Sequence, residues 1–173
     1  MLTKLLLGRP TVVWHGLSVS YSARHLSTGQ SFGMSRVITQ EDVDTFVRLT
    51  GDSNPIHSTT AADGSAPNSK HAADKAVIVP GMLMASMFPA IIGSSFPGAL
   101  YLSQTLKFRR SATVGTPIHA TVTVSKLSGS RVTFDTVCRD SEEQVLVDGT
   151  ALALINPKSD PTSTTTPDAV PSS

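Results

Sequence analysis

Cysteine is almost missing from this 173-residue chain, where Cys138 stands alone. A single thiol forms no intramolecular disulfide and builds no zinc site of the multi-cysteine kind. No histidine lies near it in sequence, so it reads as a small core residue rather than a nucleophile. An excess of either charge is also lacking. With 14 basic and 13 acidic side chains, the balance calls for neither nucleic acid nor an anionic membrane surface as a partner. No apolar run approaches the ~20 residues of a membrane-spanning helix. The leucine run Leu5-Leu6-Leu7 is soon interrupted by Gly8, Arg9 and Pro10.

Acidic residues are absent from the start of the chain until Glu41. That stretch carries Lys4, Arg9, Arg24 and Arg36 among many serines and threonines. Arg-bearing, Ser-rich and acid-poor composition is that of a mitochondrial transit peptide. Residues 1–30 are therefore expected to direct import to the mitochondrial matrix and are set aside from fold reasoning. At the other end, NPKSDPTSTTTPDAVPSS offers almost nothing apolar to bury, so residues 158–173 are expected to be a disordered tail. Residues 31–157 remain as a single domain, large enough for a proper core.

Within it, Thr39 followed by Asp42 has the form of a capping box. Val43, Phe46, Val47 and Thr50 recur at helical spacing up to Gly51, which predicts a helix over 40–50. Residues 58–76 are polar and Ala-rich, and read as a helical turn and a mobile loop. GMLMASMFPAII, residues 81–92, is apolar nearly all round and predicts a buried helix, kinked or shortened by Pro89. After Gly98 the period becomes two. Leu100, Leu102, Leu106 and Phe108 share one face, with Gln104 as the polar exception. Ile118, Ala120, Val122 and Val124 share another, as do Val132, Phe134, Thr136 and Cys138. A last run over 145–155 has apolar residues on both faces. Helices followed by a four-stranded antiparallel meander make an α+β pattern, with the sheet wrapped around the central apolar helix. Its open sheet edge needs cover, which predicts a homodimer.

The stretch GDSNPIH, residues 51–57, breaks a local rule. Asp52 follows the helix end and faces the negative pole of its dipole, an arrangement that costs up to about 1 kcal/mol when partly buried. Pro55 fixes its own backbone and biases Asn54 to an extended shape, so the spacing of Asp52 and His57 is stiff. A carboxyl and an imidazole on one rigid turn can share acid–base work. The same residues also suit a plain turn, because Asp and Asn readily bond their own backbone.

LTGDSNPIH resembles the signature of the MaoC-like, hydratase-2 type of hot-dog enzymes. The likeness continues through VPGMLMASMFPAIIG and LYLSQTLKFRRSATVGTPIHATVTV, and spans about residues 36–155. Within that family it is to the dehydratases of mitochondrial fatty acid synthesis. The resemblance implies a dimeric hot-dog fold with Asp52 and His57 as the catalytic pair. It also implies substrate-binding roles for Asn54 and for Gly81, whose backbone N–H would polarise a thioester carbonyl. The implied reaction is (3R)-hydroxyacyl-thioester dehydration, on an acyl-carrier-protein or CoA thioester, with no metal and no cofactor. An (R)-specific enoyl-CoA hydratase, a thioesterase and a non-catalytic acyl-binding or scaffold domain are the alternatives. Three departures from the family pattern stand out: Pro80 precedes Gly81 where histidine is common, Thr59 replaces a frequent aspartate, and the stretch between His57 and Gly81 is long.

Overall fold

The computed structural model describes residues 12–15, 26–58 and 76–155. The transit-peptide reading of residues 1–30, apart from 12–15 and 26–30, lies outside the described residues. So do the loop reading of 59–75 and the tail reading of 158–173. In chain order the elements are β1 (Val12–His15), β2 (Ser31–Val37), α1 (Gln40–Thr50), a 3-10 turn (Pro55–His57), α2 (Gly81–Ala85), α3 (Met87–Ser95), β3 (Leu100–Phe108), β4 (Pro117–Ser128), β5 (Arg131–Arg139) and β6 (Val145–Leu154). They form the expected α+β arrangement, an antiparallel sheet around a central helix.

The sheet has six strands in the order β1-β2-β4-β5-β6-β3. This corrects the four-stranded meander. Only β4, β5 and β6 follow one another as neighbours; β3 crosses over to pair with β6 and forms a free edge. Two strands were not expected. β2 hides in SFGMSRV, whose glycine and serines dilute the alternation, yet it pairs with β4 from Ser31↔Thr123 to Val37↔Pro117. β1, inside the segment set aside as presequence, pairs with β2 from Val12↔Arg36 to His15↔Gly33.

Helix α1 forms as its sequence dictates. The Asp42 N–H donates to Thr39 Oγ1 at 3.2 Å, and Asp42 Oδ2 accepts from the Thr39 N–H at 2.9 Å. Gly51 ends the helix in the left-handed region at φ 75°, its N–H bonded to the Val47 carbonyl at 2.8 Å. A residue with a Cβ is strained in that conformation, so glycine is the natural stop. Val43 faces inward and is fully buried. The Arg36–Asp42 ion pair at 2.6 Å ties the helix to β2.

The central helix breaks at Ser86 into α2 and α3, one turn before Pro89. The cause is the missing N–H of Pro89, which leaves the Ala85 carbonyl without its intrahelical donor. Met84, Met87, Phe88, Ile91 and Ile92 pack inward against Ile118, Val122 and Phe134 of the sheet. Each such side chain, taken fully from water, contributes about 1.5–3 kcal/mol. The helix is not buried all round, however. Met82, Ser86, Pro89, Ala90 and Gly93 form an exposed stripe at helical spacing.

Faces in β4 and β5 are as the alternation predicts, with Ile118, Ala120, Val122, Val124, Val132, Phe134, Thr136 and Cys138 all buried. Burial pushes the Cys138 thiol up to about 12, in keeping with an inert core residue. In β3 the register shifts between Tyr101 and Ser103. A bulge inserts one residue and so flips the side chains before it to the opposite face. Gln104, Leu106 and Phe108 lie opposite the inward positions Ala151, Gly149 and Val147, and Tyr101 lies opposite Ala153. Leu100 and Leu102 are exposed, which corrects the single apolar face drawn for this strand.

A Cβ on Gly149 would sit 1.8 Å from the backbone oxygen of Thr105, so β3 passes over β6 where only glycine fits. Gly149→Ala should therefore destabilise the fold by about 1–3 kcal/mol or more, seen as a Tm lowered by several degrees. Gly93→Ala, on the open helix face with nothing within 4 Å of the new Cβ, should hold or raise Tm. Equal melting of the two variants would contradict this account of the β3–β6 contact.

Candidate active site

Three segments converge on one cavity: the turn after α1, the short stretch before α2, and the connection leaving β3. The Gly51 stop delivers Asp52 at the head of the turn. Asp52 Oδ1 accepts the Asn54 N–H at 3.1 Å, and Asn54 Oδ1 in turn accepts the Ile56 N–H at 3.3 Å. With Pro55 in the first position of the 3-10 turn, these two side-chain bonds hold the backbone that carries His57.

His57 is buried, and its Nδ1 lies 2.7 Å from the carbonyl oxygen of Ile78. A carbonyl only accepts, so Nδ1 carries the proton and, in the neutral ring, Nε2 carries the lone pair. Nε2 lies 3.7 Å from Asp52 Oδ2, on a carboxylate that is 40% exposed. That gap is too long for a hydrogen bond but leaves the carboxylate beside the ring.

Ile78 is itself fixed on both sides. Its N–H donates to the Ile56 carbonyl at 3.0 Å, and it bridges to Thr113. Val79 N–H donates to Ala112 O at 2.9 Å, and Val114 N–H to Val77 O at 3.0 Å. The strand-like piece 77–79 thus links the histidine turn to the segment following β3, and then runs through Pro80 into α2.

The cavity, of about 450 Å³, is lined by Ile56, His57, Ile78, Val79, Gly81, Met82, Met84, Phe108 and the run Arg109, Arg110, Ser111. Its walls are largely apolar, with few polar groups, as suits an acyl chain. Sequence reasoning had placed His57 and Gly81 here, and both line it. Asp52 is held beside His57 rather than in the lining. Asn54 spends its side-chain oxygen on the turn and so supports the pair from behind. Phe108, Met82, Ile78 and the two arginines were missed. Phe108 had been read as strand core, and a backbone carbonyl such as that of Ile78 leaves no trace in residue type.

Among the described residues no cluster of His, Cys, Asp and Glu is arranged to hold a metal ion, and no helix is long and apolar enough to cross a membrane.

A sheet curled around a broken helix, with a carboxylate–imidazole turn over an apolar cavity, defines a hot-dog protein of the hydratase kind. The comparisons agree. The chain is 34% identical over 142 residues to the mitochondrial 3-hydroxyacyl-acyl-carrier-protein dehydratase FERN of Solanum lycopersicum, covering 80% of this chain and 82% of that one. It is 32% identical over 160 residues to the mitochondrial 3-hydroxyacyl-acyl-carrier-protein dehydratase of Arabidopsis thaliana, covering 90% and 93%. An (R)-specific enoyl-CoA hydratase of Rhodospirillum rubrum is 32% identical over 137 residues, covering 75% and 88%. Among solved structures, the unliganded R-hydratase PhaJ1 of Pseudomonas aeruginosa superposes with a TM-score of 0.68 at 26% identity, covering 84% of this chain and 88% of that one. No protein-family profile matches. The chain belongs to the MaoC-like hot-dog family of 3-hydroxyacyl-thioester dehydratases and (R)-specific enoyl-CoA hydratases, whose members are hydro-lyases.

A Cβ on Gly81 would lie 2.7 Å from two ring carbons of Phe108. The ring is 54% exposed and has room to swing. Gly81→Ala should be less damaging to stability in a Phe108→Ala background than in the parent chain, with a coupling on the order of 1 kcal/mol in a double-mutant thermal-melting cycle. A coupling of zero would mean that the two residues do not share this space.

Proposed function

We propose that this chain is a (3R)-hydroxyacyl-thioester dehydratase, interconverting 3-hydroxyacyl and trans-2-enoyl thioesters by loss or addition of water. The observation that carries the reading is the fixed tautomer of His57, with Nδ1–H on the Ile78 carbonyl and Nε2 toward Asp52 and the cavity. In dehydration, Nε2 takes the α-proton and the electron pair of that C–H bond forms the new double bond. The β-hydroxyl leaves with the proton returned from the imidazolium, and the product is water. The Asp52 carboxylate stabilises the imidazolium between the two transfers. Negative charge building on the thioester oxygen needs a donor. The backbone N–H of Gly81, at the positive end of the central helix, is assigned that part. Asn54 keeps the pair in register.

The substrate is proposed to be an acyl-carrier-protein thioester in mitochondrial fatty acid synthesis, and the place of action the mitochondrial matrix. Support comes from two mitochondrial relatives that are named for acyl-carrier-protein substrates. A second reading, (R)-specific enoyl-CoA hydratase, is favoured by the Rhodospirillum relative and differs only in the carrier. Residues 1–30 are proposed as the transit peptide, 31–157 as the domain and 158–173 as a tail, so that removal of the presequence would strip β1 and leave β2 at the sheet edge.

A homodimer is also proposed. β3 is one free edge of the sheet, Leu100 and Leu102 stand exposed on it, and the central helix leaves an apolar and small-residue stripe uncovered. Light scattering should report twice the chain mass at working concentration. A fully active monomer would contradict the dimer.

Asp52→Asn and His57→Ala should each lower the rate of enoyl-thioester hydration by about 10²–10⁴-fold. Asn retains an oxygen for the Asn54 N–H and removes a charge from the negative end of α1. The melting temperature of Asp52→Asn should therefore hold or rise slightly. Near-parental turnover by Asp52→Asn would reduce Asp52 to a turn residue and overturn its role.

A further inference from the structure

The rim of the cavity holds a charge that the dehydration chemistry does not use. Arg109 and Arg110 both leave the end of β3 there, and no acidic residue shares the lining. Their situations differ. Arg109 is engaged by Asp148 in a two-pronged pair, Nε to Oδ1 at 2.8 Å and Nη2 to Oδ2 at 3.2 Å. That pairing raises the Arg109 pKa and lowers that of Asp148, and it offsets the Arg109 charge. Arg110 has no acidic partner among the described residues. Its backbone is nevertheless pinned. The N–H groups of Arg109 and Arg110 both donate to the Leu146 carbonyl, at 2.8 and 3.3 Å, so the side chain departs from a fixed point on the sheet.

His57 forms the buried side of the cavity, and the Arg110 side chain is exposed at its solvent side. A thioester entering acyl end first passes its chain over the apolar floor and leaves its carrier arm at this rim. We infer that Arg110 is the specificity-determining anchor for the phosphate of a phosphopantetheine arm, an inference that rests on the thioester reading of this site. A planar guanidinium matches two phosphate oxygens at once, and one without an acidic partner among the described residues gives up no ion pair to them on binding. Both carriers, an acyl-carrier protein and CoA, present this phosphate. Arg110 then explains recognition of the arm in general, without choosing between them.

The test uses the full chain and crotonyl thioesters of pantetheine, 4′-phosphopantetheine and CoA, which differ beyond the sulfur in their phosphates and, for CoA, in an added adenosine. The parent protein should prefer the two phosphorylated forms in kcat/KM. Arg110→Gln should lower the ratio of phosphopantetheine to pantetheine about tenfold, through KM rather than kcat, as expected for a charge-assisted contact at an exposed rim. Arg110→Lys should restore part of the ratio, and Arg131→Gln, exposed and outside the cavity lining, should leave it near the parental value. An unchanged ratio in Arg110→Gln, or an equal fall in Arg131→Gln, would overturn the anchor. Calorimetric binding of the matching S-butyl thioethers reads the same ratio without turnover. A protein that hydrates none of the thioesters would sink the dehydratase reading, while the thioether ratio would still decide the fate of Arg110.

Discussion

One hydrogen bond organises the proposed site: that between His57 Nδ1 and the carbonyl of Ile78, 2.7 Å long and partly buried. It joins two stretches of chain that are 21 residues apart. It also fixes which ring nitrogen is free to accept a proton. Without it, the imidazole could rotate or change tautomer, and neither Asp52 nor the cavity would meet a defined lone pair. The return bond from the Ile78 N–H to the Ile56 carbonyl makes the link two-stranded, so the ring cannot shift without moving the backbone that leads to Gly81. The proposed acid–base group and the helix end assigned to the thioester oxygen are in this way held to one another by main chain.

The rest of the fold supports that link. Gly51 turns the chain out of α1 so that Asp52 begins the turn at once, and Asn54 and Pro55 carry it round to His57. Ala112 and Val77 hold the piece before α2 against the segment leaving β3. The central helix breaks at Ser86, on its exposed side, and packing of Phe88, Ile91 and Ile92 holds its second half in the core. The candidate active-site turn thus sits on regular elements, as positioning of reacting groups to a fraction of an ångström would demand.

Sequence reading reached the parts governed by local rules. The capping box, the Gly51 stop, the faces of β4 and β5 and the stiffness of the Asn54-Pro55 turn all follow from residues close together in the chain, whereas the assignment of Gly81 to the site came from the family resemblance. It failed where distant contacts decide. β2 is carried by pairing with β4 rather than by its own alternation. β3 pairs with β6, a choice that Gly149 permits by letting Thr105 approach, and glycine in a strand does not announce its neighbour. The bulge near Leu102 turned an apparently clean apolar face inside out. The all-round apolar helix left one stripe uncovered, since composition does not say how far a single sheet can wrap. The difference between Arg109 and Arg110 depends on Asp148, which lies 39 residues away from Arg109 and meets it across the strand pair.

The central claim is that this turn adds water to an enoyl thioester on one face, by way of a histidine of fixed tautomer. The configuration of the product tests it most directly. The trans-2-butenoyl thioester of an acyl-carrier protein would be incubated with the full chain, and the released acyl group analysed by chiral chromatography. A single (3R)-3-hydroxybutyryl product is the predicted result. A racemic or (3S) product, or free butenoic acid with the carrier thiol released, would contradict the account.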